Sequence, residues 1–193
     1  VEGLAEKGRA LVFIGFMGAG KSTALRAAQE AGLEPVETDG LIERELGEGI
    51  AGFFEREGED AFREQEARVV LPLLERAGAG QAIALGGGSV LTPAIREALA
   101  GHAVVWLQIG AEEAWRRARG SDRPLAREHD EFVGLMPERE PLYETLADAI
   151  IPAGEPGQIA AAMPALLALR ELEGIVKLLW IHAGEAAYPL LAG

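Results

Sequence analysis

Residues 15–23 read GFMGAGKST, directly after the apolar run ALVFI at 10–14. Gly15, Gly20, Lys21 and Ser22 satisfy the pattern G-x-x-x-x-G-K-[ST]. Glycines let a backbone curl until several N–H groups point at one anion. A helix beginning near Lys21 would add its positive end at the same spot. The sequence therefore predicts a phosphate cradle built from Gly18, Ala19, Gly20, Lys21, Ser22 and Thr23. Lys21 would reach the β- and γ-phosphates, Ser22 would ligate Mg²⁺, and Thr23 would help hold the α-phosphate. A glycine-rich turn with a chance lysine is the alternative. The strand before and the helix after are the context that a nucleotide cradle requires.

Working outward, residues 9–16 read as a buried strand and 21–32 as a helix stopped by Gly32. A short strand is expected at 33–36, then helices at 40–46, 50–57 and 60–77, the last kinked at Pro72. A strand at 81–85 ends in GGGS, and 93–100 is helical. Residues 103–109 form a strong strand, 111–119 a helix, 120–131 a loop and 132–145 a helix. A last strand at 149–152 and a last helix at 158–173 complete the pattern. Strands alternating with helices imply an α/β fold with a parallel sheet. About five strands is the usual size. The expected organisation is one P-loop domain over 1–173, followed by an apolar, charge-poor tail at 174–193.

Bulk properties narrow the class. The chain has 193 residues, 25% charged and 49% hydrophobic, which suits a soluble single domain. There is no cysteine, so disulfides and thiolate metal sites are excluded. No apolar run approaches the roughly 18 residues of a membrane span, and VEGLAEKGRA has no signal-peptide core. The cytoplasm is the simplest location, with no membrane partner. A formal net charge of −13 argues against nucleic acid, whose binding rests on Lys and Arg. It does not exclude a small anion held by a few arginines at one point.

Among P-loop proteins, GTPases read guanine with N-K-x-D, and this chain has no asparagine. Motor and transport ATPases usually carry an acid after an apolar strand. AIALGGGS and AVVWLQIG both lack it. A small-metabolite or nucleotide kinase remains.

Further stretches then fall into place: VETDGLIERELG, GEDAFREQE, ALGGGS, DRPLA and PEREPLYETLAD. Together with GFMGAGKST, in this order and at these spacings, they closely resemble the shikimate kinase family from about residue 9 to about residue 165. The resemblance implies a three-layer P-loop kinase with a mobile lid. It would transfer the γ-phosphoryl of ATP to the 3-hydroxyl of shikimate, in aromatic amino-acid biosynthesis.

The same resemblance assigns roles. Asp39 would bond the substrate hydroxyl and accept its proton; an N-cap for the helix at 40–46 is the bland reading of the same residue. Glu37 stands where the family commonly has a metal-associated aspartate, one methylene shorter. Arg63 and Arg139 would grip the shikimate carboxylate, since a planar guanidinium can bind it through two parallel bonds. Arg63 could equally be a surface residue paired with Glu59 or Glu66. Glu66 would position an arginine. Gly86, Gly87 and Gly88 would let the substrate lie against backbone. Phe54 and Phe62 would wall its ring, or serve as core residues. Arg123 in DRPLA would close over the β/γ-phosphates, and Ala126 replaces the usual last leucine. Arg117, or Arg116 beside it, would stack on adenine. AGEPGQ offers Pro156 but no arginine, so backbone contacts to the base are expected there.

His102, His129 and His182 form no ligand pattern and read as surface or structural. Two other functions stand beside the main one. One is a kinase of another carboxylated polyol, and the other is a nucleotide-binding regulator without turnover. A monomer is expected. The ending AAYPLLAG loosely resembles the opening strand of dehydroquinate synthase, so a bifunctional chain is one reading of the tail. An extra segment packed on the domain is the other.

Overall fold

The computed structural model describes residues 8–120, 128–154, 157–172, 176–183 and 186–192. Its strands are β1 (Leu11–Ile14), β2 (Glu34–Glu37), β3 (Gln81–Ala84), β4 (Ala103–Gln108), β5 (Ala149–Pro152), β6 (Lys177–Ala183) and β7 (Ala186–Ala192). Its helices are α1 (Lys21–Glu30), α2 (Thr38–Leu46), α3 (Ile50–Arg76), α4 (Pro93–Leu99), α5 (Ala111–Ala118), α6 (His129–Gly134), α7 (Met136–Leu146) and α8 (Gln158–Leu169).

The sheet order is β2-β3-β1-β4-β5-β6-β7. Every pairing from β2 to β6 is parallel. The inner strand β1 reads LVFI and is wholly buried, as expected where helices cover both faces of a parallel sheet. β2 lies at the edge, reads EPVE and is largely exposed. Below the sheet, Arg9 donates to Asp148 at 2.5 Å and to the His102 carbonyl at 2.6 Å. The Val104 N–H donates to the same Asp148 carboxylate at 3.0 Å. This knot ties the lower ends of β1, β4 and β5 together. The upper ends of β1, β2 and β3 carry the glycine loop, Asp39 and the triple glycine respectively.

The separation expected between the helices at 50–57 and 60–77 is present: α3 is broken at Gly58, whose φ of 85° and ψ of 177° leave the helix. The break is at Gly58 because glycine enters positive φ at little steric cost. Pro72 keeps helical geometry inside α3. The helix expected over 132–145 begins at His129 and divides between Gly134 and Met136, with Pro137 in the first turn of α7. A proline has no N–H to give and is tolerated at that place.

The larger difference is the tail. It adds β6 beside β5, pairing Ala149 with Leu178 and Ile150 with Leu179, and β7 antiparallel to β6. The sheet therefore has seven strands rather than about five. Leu178 and Trp180 point inward, 1% and 7% exposed, whereas Leu179 between them is 36% exposed. That is the two-residue alternation of a strand.

Candidate active site

The glycine loop is shaped by close approach. Gly18 has φ of 81°, and a Cβ there would stand 2.7 Å from the Ala114 carbonyl oxygen. Gly20, at φ 88°, caps α1 without a side chain, so the first N–H groups of α1 face the loop. Lys21 Nζ donates to the carbonyls of Gly15 at 2.8 Å and Phe16 at 3.1 Å. These bonds fold the lysine over the cradle.

Two adjoining grooves share Gly18, Gly20 and Arg117. One, of about 290 Å³, is lined by Lys21, Ser22, Glu37 and Asp39. The other, of about 460 Å³, runs past Thr23 and Ala27 to Ala153 and Ile159. Arg117 spans the second. It is anchored by Glu113 at 2.6 Å and donates to the carbonyls of Ala153 and Gly154, each at 3.0 Å. Arg116 pairs with Glu113 and is 67% exposed, so Arg117 is the groove residue of the two.

In the first groove, the Ser22 hydroxyl donates to Glu37 Oε1 at 3.0 Å. Asp39 sits in the first turn of α2, which begins at Thr38 with Glu37 as its N-cap. Asp39 is thus not the cap that the bland reading required, because the helix starts two residues before 40. Thr38 fixes this start: it is fully buried and its hydroxyl donates to the Ala84 carbonyl at 3.1 Å. A Cβ built on Gly86 would stand 3.1 Å from both Asp39 Oδ1 and Glu66 Oε1. Any side chain there would crowd those two carboxylates, which would have to shift by a few tenths of an ångström.

Glu66 is 1% exposed. Its Oε1 accepts from the Ser89 hydroxyl at 2.6 Å, and its Oε2 accepts from Arg63 Nη1 at 2.7 Å. Glu59 Oε1 takes the opposite edge of the same guanidinium, 3.3 Å from Nε and 3.0 Å from Nη2. Burial lowers the proton affinity of Arg63, but Glu66 and Glu59 outweigh it and hold the group above its ordinary value. Both partners that the sequence suggested for a surface Arg63 are present, yet the side chain is only 16% exposed.

Arg139 is 2% exposed, with its guanidinium 5.5 Å from the Phe16 ring. Its Nε is buried without a hydrogen-bond partner. Burial, partly offset by Tyr143 and reinforced by the charge of Arg63, lowers its proton affinity. A buried donor without a partner is costly unless a ligand completes it. Tyr143, one turn on, donates to the Gly87 carbonyl at 2.5 Å. Burial pushes the Tyr143 hydroxyl well above its ordinary range. Phe62 is buried, Phe54 half-buried, and their rings lie 5.7 Å apart, with Arg63 5.2 Å above Phe62.

The family model for shikimate kinase matches residues 17–167. The chain belongs to the shikimate kinase family. It is 45% identical over 142 residues to the shikimate kinase of Mycobacterium leprae, covering 70% of each chain. It is 40% identical over 160 residues to that of Corynebacterium glutamicum, covering 79% of this chain and 93% of the relative. Among solved structures, the shikimate kinase from Acinetobacter baumannii in complex with shikimate superposes with a TM-score of 0.78. The identity is 31%, over 87% of this chain and 97% of that one.

As a shikimate kinase, the chain brings Lys21, Ser22, Glu37, Asp39 and Arg117 to one cleft, with Arg63, Glu66 and the triple glycine beside Asp39. Arg123 and Pro156 lie outside the described residues. Thr38 and Ser89 were missed by the sequence reading, although they directly adjoin Asp39 and Gly88. Among the described residues, no helix is long and apolar enough to cross a membrane. His102 is structural: it is 7% exposed, with Nε2 3.1 Å from the Leu74 carbonyl.

Proposed function

We propose that this shikimate kinase, an ATP-dependent enzyme, moves the γ-phosphoryl to the 3-hydroxyl of shikimate with the residues set out above. The observation that carries the reading is the triple glycine, where Asp39 stands against Gly86 and Arg63 against Gly88, next to the phosphate cradle. Phosphoryl transfer asks the protein mainly for positioning and charge stabilisation. The cradle N–H groups and Lys21 hold the polyphosphate, releasing the lysine from its carbonyl contacts. Arg117 and the backbone at Ala153 and Gly154 flank the base. Arg63 and Arg139 hold the substrate carboxylate, and Asp39 accepts the hydroxyl proton as the oxygen attacks in line. Arg123 closes over the phosphates and helps to exclude water, which would otherwise hydrolyse ATP.

Ser22 Oγ and Glu37 Oε1, 3.0 Å apart beside Lys21, form the hard oxygen pair that suits Mg²⁺. Ser22 and Glu37 would hold the ion, and its charge would stabilise the negative charge of the transferring phosphate. Glutamate in place of aspartate reaches Ser22 directly, so the longer side chain fits.

The test is ADP release with ATP and Mg²⁺, with and without shikimate, beside Asp39→Asn. A rate that needs shikimate and collapses in the variant supports the assignment. Shikimate-independent release, or an unimpaired variant, overturns it. For the tail, limited proteolysis distinguishes the two readings: a hairpin that belongs to this domain resists cleavage, whereas the first strand of a second enzyme at β7 is trimmed away.

A further inference from the structure

Arg63 presents two edges, and carboxylates of this chain occupy both. They are not equivalent. Glu66 is 1% exposed and held on its other oxygen by Ser89. Glu59 has a side chain 44% exposed, stands directly after the Gly58 break, and reaches Arg63 through one oxygen on the Nε/Nη2 edge. That edge offers two N–H groups side by side, the geometry with which a guanidinium receives a free carboxylate. Glu59 also acts on the second arginine, since its charge raises the proton affinity of Arg139 whereas Arg63 lowers it.

The charges bear this out. Arg63 and Arg139 already face Glu59 and Glu66, with the Asp39 carboxylate beside Glu66. A carboxylate ligand added beside them brings a further negative charge into a half-buried site. If it replaces Glu59 on Arg63, the local charge balance is unchanged, and Glu59 moves into water at little cost because it is already near the surface.

We propose that Glu59 is an internal stand-in for the shikimate carboxylate on Arg63, so that substrate binds by displacing it and Glu59 sets the affinity of the site. This rests on the reading of Arg63 as a carboxylate clamp. Glu66 keeps the guanidinium in place through Nη1 during the exchange. Glu59 thereby tunes affinity downwards without weakening the clamp itself, and it disfavours weaker anions that cannot also engage Asp39 and Arg139.

The test is calorimetric titration of shikimate, and separately of ATP, onto the full chain carrying Glu59→Gln, Glu59→Ala or Arg63→Ala. An exposed ion pair is worth little, so both Glu59 variants should bind shikimate roughly two- to fivefold more tightly, with ATP affinity unchanged. A residue that merely positioned Arg63 would give the opposite sign. Unchanged or weaker shikimate binding in both Glu59 variants, with Arg63→Ala strongly impaired, overturns the proposal and leaves the clamp standing. Undiminished shikimate binding in Arg63→Ala overturns both.

Discussion

Arg63 occupies the space that a side chain on Gly88 would need. A Cβ built on Gly88 would stand 2.7 Å from the Arg63 Cζ and 2.8 Å from its Nη1. The third glycine of the triplet is therefore the floor on which the guanidinium rests. Gly88→Ala should push the arginine off Glu66 without breaking backbone, because the far end of the arginine can swing away. Losing charge-assisted bonds worth about 1.5–3 kcal/mol corresponds to roughly 10- to 100-fold weaker shikimate binding. ATP binding should change little, whereas thermal stability should fall somewhat because buried Glu66 loses its cation. Equal losses for both ligands would place the effect in the fold instead.

The tail makes a second prediction, about stability. Leu178 is 1% exposed in β6, beside β5. Leu178→Ala should cost about 2–5 kcal/mol of unfolding free energy, the range for a buried leucine in a packed core. Denaturant unfolding measures it, and a loss below about 0.5 kcal/mol would mean that β6 is not integral to the core. Tyr188→Ala serves as the control, since that residue is 46% exposed on β7.

The order in which these features could be read follows their physics. The phosphate loop was legible because its spacing is set by the geometry of one anion and one helix end. The triple glycine stood out because strand ends in a parallel sheet face the ligand, whereas Asp39 was singled out through the family resemblance. Arg63 needed the family resemblance: alone on a helix, it has the surface pairings with Glu59 and Glu66 that the structure also shows. Thr38 and Ser89 act through a carbonyl and a buried carboxylate that lie far away in sequence. No local pattern marks such partners. The break in α3 fell at Gly58 because positive φ decides it, whereas Pro72 needed no departure from helical geometry. The segment KLLWIH is a short apolar run, which periodicity alone leaves between strand and helix. Its pairing with β5 decides it.

Glu37 leads to a prediction about metal. Its Oε1 accepts from Ser22 at 3.0 Å, so the two oxygens already share one site. Glu37→Gln keeps the shape and removes the charge. The Mg²⁺ concentration giving half the maximal rate should rise roughly 10-fold, the scale on which supporting ligands matter. Shikimate binding measured without metal should stay the same. A variant with an unaltered Mg²⁺ dependence would remove Glu37 from the metal site.

His102 links the fold to pH. Burial lowers its pKa from 6.5, opposed in part by its bond to the Leu74 carbonyl and assisted by the charge of Arg9. The neutral ring is therefore the form that the folded chain prefers. Above pH 6.5 the ring is neutral in both states and no penalty arises. As pH falls below that value, the unfolded chain takes up a proton that the folded chain resists, so unfolding is favoured. Stability should accordingly decline as pH drops from about 6.5 towards the lower folded value. His102→Gln keeps a donor for the Leu74 carbonyl and carries no titrating group, so its stability should vary less with pH over that window. Urea midpoints at pH 7.5 and about 5.5, compared between the two proteins, measure the difference. Parallel slopes would mean that His102 protonates as readily in the fold as in the unfolded chain. Any acid sensitivity would then come from groups other than His102.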